Sequence, residues 1–300
     1  SNNSTNPDKS NLIVPMAGLG KRFKDEGYKK TKPLINVSGQ AMVTTAIKSL
    51  PNAKNKMFVL RDDIDGIAEI KEELSENFPG SFFHSLSELS EGQAITVYHG
   101  LNDLKKQLKH QINEPITVAA CDNAILYNND KYEAIIKEGD FDILVWGGKN
   151  HVNAKRQPKM FGWIDYNKKS MSINNISVKN PIDQSLSQPI VIGMFTFKNA
   201  KILERCIDEL VKKNHRINNE FYLDSAVNEA LNLGLSCKVF NVDHFISFGT
   251  PSDLKTFEYW QSCFSKWNAH PYQLEEDPFI PANKVYELKK TYGNFNETNL

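Results

Sequence analysis

Apolar and polar positions along the chain change period several times, and the changes mark out elements. "NLIVPMA" (11–17) is a short, nearly unbroken apolar run, which predicts a buried strand. In "AMVTTAIKSL" (41–50), Met42, Val43, Ala46, Ile47 and Leu50 fall on one helical face. "KMFVLR" (56–61) predicts a second strand and "DIDGIAEIKEELSENF" a charged helix after it. "SFFHSL" (81–86) reads as a strand, and a helix follows "SEGQA" through Ile95, Val97, Leu101 and Leu104. "PITVAACD" (115–122) is an apolar run that ends in a carboxylate, and "FDILVWGG" (141–148) is another strand.

The pattern then shifts. "FGWIDYNKKSMSINNISV" (161–178) predicts a hairpin turning at Asn-Lys-Lys-Ser, and "PIVIGMFTF" (189–197) a strand. Helices are expected over 199–213 and about 220–233, with Gly234 as C-cap. "SCKVFNV" (236–242) predicts a late strand. "TPSDLKTFEYWQSCF" (250–264) predicts a helix with Thr250 or Ser252 at its N-cap and Pro251 in its first turn. Strands alternating with helices predict a three-layer α/β/α domain over 11–265, with a mixed, mostly parallel central sheet. The polar residues 1–10 read as a disordered lead. Residues 266–300, with three prolines and a charged stretch, read as a loosely attached tail carrying one short helix.

Composition narrows the functions. Thirty-six basic residues balance thirty-six acidic ones, so no chain-wide basic field for nucleic acid is expected. No apolar run approaches the length of a membrane span. The lead lacks the apolar core of a signal peptide, and the four cysteines form no CxxC pair. Free thiols in a cytoplasmic protein are therefore expected. The histidines show no HxxxH or HExxH spacing that would mark a zinc site. The sequence carries no signal for an oligomeric state.

Charge is nonetheless concentrated in one place. After the first strand, "GLGKRFKDEGYKKTKPL" gathers Lys21, Arg22, Lys24, Lys29, Lys30 and Lys32 within twelve positions. Loops beyond the carboxyl ends of strands in open α/β sheets are where ligands bind. Glycines let backbone N–H groups close on an anion, and cations then neutralise it, so the loop predicts a phosphate site. A dinucleotide fingerprint would need Gly where Phe23 stands. A Walker loop would need Gly at Pro15 and Ser or Thr at Arg22. The pattern is Gly-x-Gly-x-Arg, followed ten residues later by Lys-Pro.

That segment resembles the signature of the nucleotidyltransferases: the sugar-phosphate pyrophosphorylases and their cytidylyltransferase relatives. The resemblance runs over roughly residues 11–262 and implies a GT-A-like fold. It implies joining of a nucleoside triphosphate, CTP or UTP, to a phosphorylated small molecule (a sugar phosphate or phosphocholine-like compound), with release of pyrophosphate and Mg²⁺ as cofactor. It implies that Ala17, Gly18, Leu19, Gly20 and Lys21 wrap the triphosphate, with Arg22 and Lys32 as the catalytic cations. Gly92 and Ala94 of "SEGQA" would meet the base. Asp122 of "VAACDN" would bind metal. Gly162 of "GWI", Lys179 of "SVKN" and Gly193 of "VIGMFTF" would serve the acceptor.

Glu220 and Asp224 of "NEFYLDSA" stand four apart, on one face of the expected helix, as further acceptor and metal candidates. "FGTPSDL" (248–254) resembles the family's late Gly-Thr-Pro turn. The chain departs from the family at Ser247, where many relatives carry a second metal-binding aspartate. It departs again at "HSLSEL", which lacks a customary glutamine, and at "VKN" in place of Glu-Lys-Pro. Two other classes share some of these features. A glycosyltransferase of the same fold would normally carry Asp-x-Asp, where "CDNA" has only Asp122. A non-catalytic domain would have no need of Lys32, Arg22 and Asp122 together.

Overall fold

The computed structural model describes residues 10–18, 20–266 and 272–294. In the first half, β1 (Asn11–Pro15) leads into α1 (Lys21–Asp25), and a ribbon of β2 (Asn36–Val37) and β3 (Gln40–Ala41) into α2 (Met42–Lys48). β4 (Asn55–Arg61) precedes α3 (Ile67–Asn77), and β5 (Ser81–Leu86) precedes α4 (Gln93–Leu108). β6 (Ile116–Val118) and β7 (Asn123–Leu126) precede α5 (Asn129–Glu138). The second half runs β8 (Ile143–Gly148), α6 (Val152–Arg156), β9 (Gly162–Tyr166), β10 (Ile173–Val178), β11 (Ile190–Phe197), α7 (Ala200–Lys212) and α8 (Leu223–Asn232). It closes with β12 (Cys237–Asn241), β13 (His244–Ser247), α9 (Pro251–Lys266) and α10 (Val285–Asn294).

Alternate residues of the central strands enter different cores. Ile13, Met57 and Val59 pack with Leu101 of α4, Leu203 of α7 and Val227 of α8. Leu12, Val14, Phe58 and Leu60 pack on the other side with Val43 of α2, Leu74 of α3 and Tyr132 of α5. Both faces are covered, which explains the near-continuous apolar runs. The result is the expected three-layer fold with a mixed, mostly parallel sheet. β1, β4, β5, β6, β8, β9 and β12 run one way, and β10 and β11 run against them.

β11 breaks its register with β8 between Val191 and Phe195. β11 pairs β6 through Phe195–Phe197 and, at its other end on the path between them, pairs β9 through Ile190 with Trp163. Between these contacts lies Gly193, with φ +81° and open space where a side chain would stand. Because Phe195 faces Val118, the antiparallel register carries Gly193 to the level of Ala120, just beyond the end of β6.

Several expected elements shift. The apolar run 115–122 does not stay in one strand: β6 stops at Val118, and β7 joins β13 in a separate two-stranded sheet. Glu220 is not helical. Helix α8 begins at Leu223, and Glu220 lies in a turn closed by a bridge to Ile217, so the shared helical face of Glu220 and Asp224 does not form. The hairpin is present as β9 and β10, its turn held by Asn167 Oδ1, which accepts from the Lys169 and Ser170 amides. Thr250 is the cap of α9, accepting from the Asp253 amide at 3.1 Å. All four cysteines are free thiols.

The described tail is docked rather than loose. Leu274, Ile280, Leu288 and Tyr292 are buried together. Gln261 of α9 joins the tail to the ribbon: its Oε1 accepts from Ser38 Oγ at 3.1 Å and from the Tyr292 hydroxyl, and its Nε2 donates to Asp277 Oδ2 at 3.2 Å. Val285, Leu288 and Tyr292 repeat at helical spacing within α10, the short helix expected in the tail. Among the described residues, no helix is long and apolar enough to cross a membrane.

Candidate active site

β1 and β6 are parallel neighbours, with Ile13 beside Val118, so their carboxyl ends open side by side. An open cleft of about 470 Å³ lies beyond them. Its walls are Pro15, Met16, Gly18 and Gly20 from β1 and its loop, Ala120 to Asp122 after β6, and Lys32 with Pro33. Lys32 starts a one-turn 3₁₀ helix, Lys32–Leu34, whose Pro33 and Leu34 are buried and anchor it.

Lys32 Nζ donates to Asp122 Oδ2 at 2.8 Å. Burial alone would lower the Lys32 pKa, and the Arg22 charge also lowers it, but the Asp122 carboxylate outweighs both and leaves it raised. The neighbouring Cys121 thiol is pushed up to about 12 by burial, so it is neutral at pH 7 and the carboxylate carries the effect. Lys32 is therefore a full cation facing the cleft. Gly20, at φ +60°, lies so close to it that an added Cβ would come within 2.7 Å of Lys32 Cβ. The glycine lets the loop rest on the lysine stem.

Lys21 and Arg22 are exposed on α1, whose buried Phe23 fastens it to the body. Gly18 is exposed and Ala17 buried. Leu19 falls outside the described residues.

Gly92 caps α4, with φ +116° and ψ 178°. A Cβ there would meet the Phe221 N and O atoms at 2.8 Å. The Phe221 amide donates to Glu91 O at 2.9 Å, and the Ala94 amide donates to Phe221 O at 3.1 Å. Ala94 is fully buried and its N–H is committed, so it supports this loop from beneath.

A second cluster assembles residues remote in sequence. Gly162 starts β9 opposite Val178, and a Cβ on it would come within 2.5 Å of Asp224 Oδ2. Lys179, at φ +66°, donates its amide to Phe161 O at 3.0 Å and holds Nζ 5.7 Å from the centre of the Tyr222 ring. The Tyr222 hydroxyl donates to Glu220 Oε2 at 3.0 Å. Burial pushes the Asp224 carboxyl up to about 6. Asp224 thus stands with Gly162, and it is not among the residues that line the Asp122 cleft.

Ser247 pairs with Asn123, next to Asp122, but its hydroxyl is engaged elsewhere. It donates to Asp253 Oδ2 at 2.9 Å, while Asn153 Nδ2 holds Asp253 Oδ1 at 3.0 Å. Sequence reading passed over Asp253, whose only signal was its place three residues after the Thr250 cap. The Gly-Thr-Pro turn itself packs on Asp122: a Cβ at Gly249 would come within 2.6 Å of Asp122 Oδ2.

No protein-family profile matches the sequence, and no curated protein matches it by sequence. Solved structures do resemble it. A nucleoside-diphosphate-sugar pyrophosphorylase from Vibrio cholerae RC9 superposes with a TM-score of 0.67 at 20% identity, covering 82% of this chain and 98% of that one. The inositol-1-phosphate CTP transferase from T. maritima gives 0.63 at 16% identity, covering 91% and 98%. A candidate glucose-1-phosphate thymidylyltransferase from Bacillus anthracis, solved with sucrose, gives 0.61 at 16%, covering 82% and 93%. The fold is that of the nucleotidyltransferases, as the sequence resemblance implied.

Proposed function

We propose that the chain is a nucleotidyltransferase that joins a nucleoside triphosphate to a sugar phosphate or a related phosphorylated small molecule and releases pyrophosphate. The observation that carries this reading is the Lys32–Asp122 pair in a cleft beyond β1 and β6, with Gly20 resting on the lysine. An acceptor phosphate oxygen attacks the α-phosphorus in line. The new P–O bond forms as the bond to the β-phosphate oxygen breaks, and pyrophosphate leaves. No covalent enzyme intermediate is needed, so positioning and charge do the catalysis. Lys32 offsets charge at the α-phosphate and Arg22 at the β- and γ-phosphates.

Mg²⁺ is the cofactor this reading implies. Asp122 is the carboxylate that lines the cleft. Among the described residues no group of three or more His, Cys, Asp or Glu side chains is placed to hold a metal. That donor set suits an ion bound by one carboxylate, with triphosphate oxygens and water as its other ligands. Magnesium would supply further neutralisation of the triphosphate.

The Gly162, Lys179, Gly193, Glu220, Asp224 group is proposed as the acceptor side, with Lys179 as a phosphate partner. The nucleotide is proposed to be a pyrimidine, CTP or UTP, read by backbone groups near Gly92. A pyrophosphate-release screen tests the reading: CTP, UTP, dTTP, ATP and GTP, each with Mg²⁺, against inositol 1-phosphate, glucose 1-phosphate and phosphocholine. Release that requires both substrates is the expected result. Release from none of the pairs counts against the proposal, and tighter calorimetric binding of ATP than of both CTP and UTP removes the pyrimidine assignment.

A further inference from the structure

Arg216 sits in a polar loop between α7 and α8, where nothing in the sequence marks it out. Its guanidinium makes four separate contacts. Nε donates to Asn214 Oδ1 at 2.7 Å, and one terminal nitrogen donates to Asn219 O at 3.2 Å. The other terminal nitrogen pairs with the Glu91 carboxylate. The guanidinium plane also lies over the buried Phe221 ring, 4.2 Å from its centre. Exposed ion pairs alone hold little. Here the cation also stacks on an aromatic face and satisfies a backbone carbonyl, which is the use that suits arginine and not lysine.

The contacts fall on two segments. Glu91 belongs to the loop that caps α4. Asn219 and Phe221 belong to the segment that continues into Tyr222 and Asp224. The backbones of these segments already exchange two hydrogen bonds, Phe221 N to Glu91 O and Ala94 N to Phe221 O. Gly92 is what permits the approach. The chain that leads into the second segment turns repeatedly: Asn214, Asn218 and Asn219 all adopt positive φ, at 49°, 51° and 63°. Such a loop keeps its shape when its surroundings determine it from several sides, and Arg216 touches it at Asn214, Asn219 and Phe221.

We propose that Arg216 is a positioning residue that fastens the Glu91–Gly92 loop to the Asn219–Asp224 segment. Resting on the nucleotidyltransferase reading, the consequence is that the base side and the acceptor side of the site are set by one joint. On that reading the Glu91–Gly92 loop is the base side, and the Asn219–Asp224 segment carries Tyr222, which underlies Lys179, and Asp224, which abuts Gly162. Loosening the joint disturbs binding of both substrates while Lys32 and Asp122 stay in place.

The test uses the full chain as wild type, Arg216→Gln, Arg216→Lys and Glu91→Gln. Hydrogen exchange is followed at the Ala94 and Phe221 amides without any ligand. In Arg216→Gln both should exchange about tenfold faster, and in Glu91→Gln about threefold faster. Arg216→Lys, which keeps the ion pair and loses the stacked plane, should fall between wild type and Arg216→Gln. Should Arg216→Gln not fold, Glu91→Gln decides: both amides must accelerate together. Unchanged exchange, or a change at one amide alone, overturns the proposal.

Kinetics with CTP and inositol 1-phosphate, or whichever pair the screen finds active, then read the consequence. The KM for nucleotide and the KM for acceptor should both rise about fivefold in Arg216→Gln, with kcat within about twofold. A role in overall folding alone would lower kcat through lost active enzyme and leave both KM values unchanged. A KM change for one substrate only also overturns the proposal. If no pair turns over, it is the nucleotidyltransferase reading that fails, and the exchange data still decide whether Arg216 joins the segments.

Discussion

Lys32 Nζ lies 2.8 Å from Asp122 Oδ2, joining the loop after β1 to the end of β6. Neither side chain is sealed from solvent, at 21% and 30% exposure, so the pair faces the cleft rather than the core. The charges cancel one another in the free protein, and on the proposed function each is also a group that a metal–triphosphate would engage. The lysine's raised pKa keeps it charged far above neutrality. The sign matters: stability from a raised lysine pKa is fully present below 10.5 and is lost only as pH climbs through the still higher folded value. At pH 7 the pair is intact.

Replacing Lys32 or Arg22 with alanine should each cut pyrophosphate release about 10²–10³-fold, the usual loss on removing one preorganised contact to a transition state. The fold should survive, since Arg22 is exposed and Lys32 is anchored by its neighbours Pro33 and Leu34. Circular dichroism checks the fold and a coupled pyrophosphate assay checks the rate. Near-wild-type release by both variants would show that neither cation is catalytic.

Asp122→Asn and Ser247→Ala should behave oppositely. The first removes the carboxylate of the cleft and should abolish most Mg²⁺-dependent turnover. It should also lower the Lys32 pKa, because burial and the Arg22 charge then act without their counterweight. Nζ chemical shifts followed against pH would show that. The second removes a hydroxyl already committed to Asp253, and activity should stay within about threefold. A large loss in Ser247→Ala would show that the Ser247–Asp253 contact supports the site.

The layers and the loop at the cleft were legible because their signals are local. Leu12, Ile13 and Val14 form an apolar run that is buried in the sheet, and Gly20 and Lys32, close together in the sequence, do line one cleft. What escaped depends on distant partners. Nothing in "NHRINN" shows that Arg216 will reach Glu91, 125 positions away. Nothing in "SEGQA" shows that the Ala94 amide will be spent on Phe221. Glu220 was read as helical because its spacing to Asp224 fits a helix, yet Asn218 and Asn219 at positive φ turn the chain there and delay the helix to Leu223.

Asp224→Asn should trade activity for stability. A carboxyl raised to about 6 binds its proton more tightly when folded, so the wild type loses stability as pH rises from about 4 to about 6 and stays penalised above that. The asparagine variant has no such penalty. Its advantage in urea denaturation should be small at pH 4 and reach roughly 3 kcal/mol at pH 7. If Asp224 contacts acceptor, the same variant should raise the acceptor KM. A stability difference that does not change with pH would show that burial does not control this carboxyl.

Gly18 and Gly20 separate ligand contact from internal support. An added Cβ at Gly18 meets nothing within 4 Å, and this residue is exposed in the cleft wall. Gly18→Ala should therefore melt like wild type, and any defect must arise when ligand arrives. With triphosphate lying against that backbone, the nucleotide KM should rise about tenfold or more, since a methyl group replaces a close N–H approach. Gly20→Ala is strained before any ligand binds, by its φ of +60° and by a contact of 2.7 Å with Lys32 Cβ. It should lose about 1–2 kcal/mol in denaturation and, by shifting Lys32, lower kcat as well. Thermal melts and steady-state kinetics on the two variants distinguish these cases. Equal losses of stability, or a Gly18→Ala enzyme with an unchanged nucleotide KM, would mean that the loop does not cradle the triphosphate at Gly18.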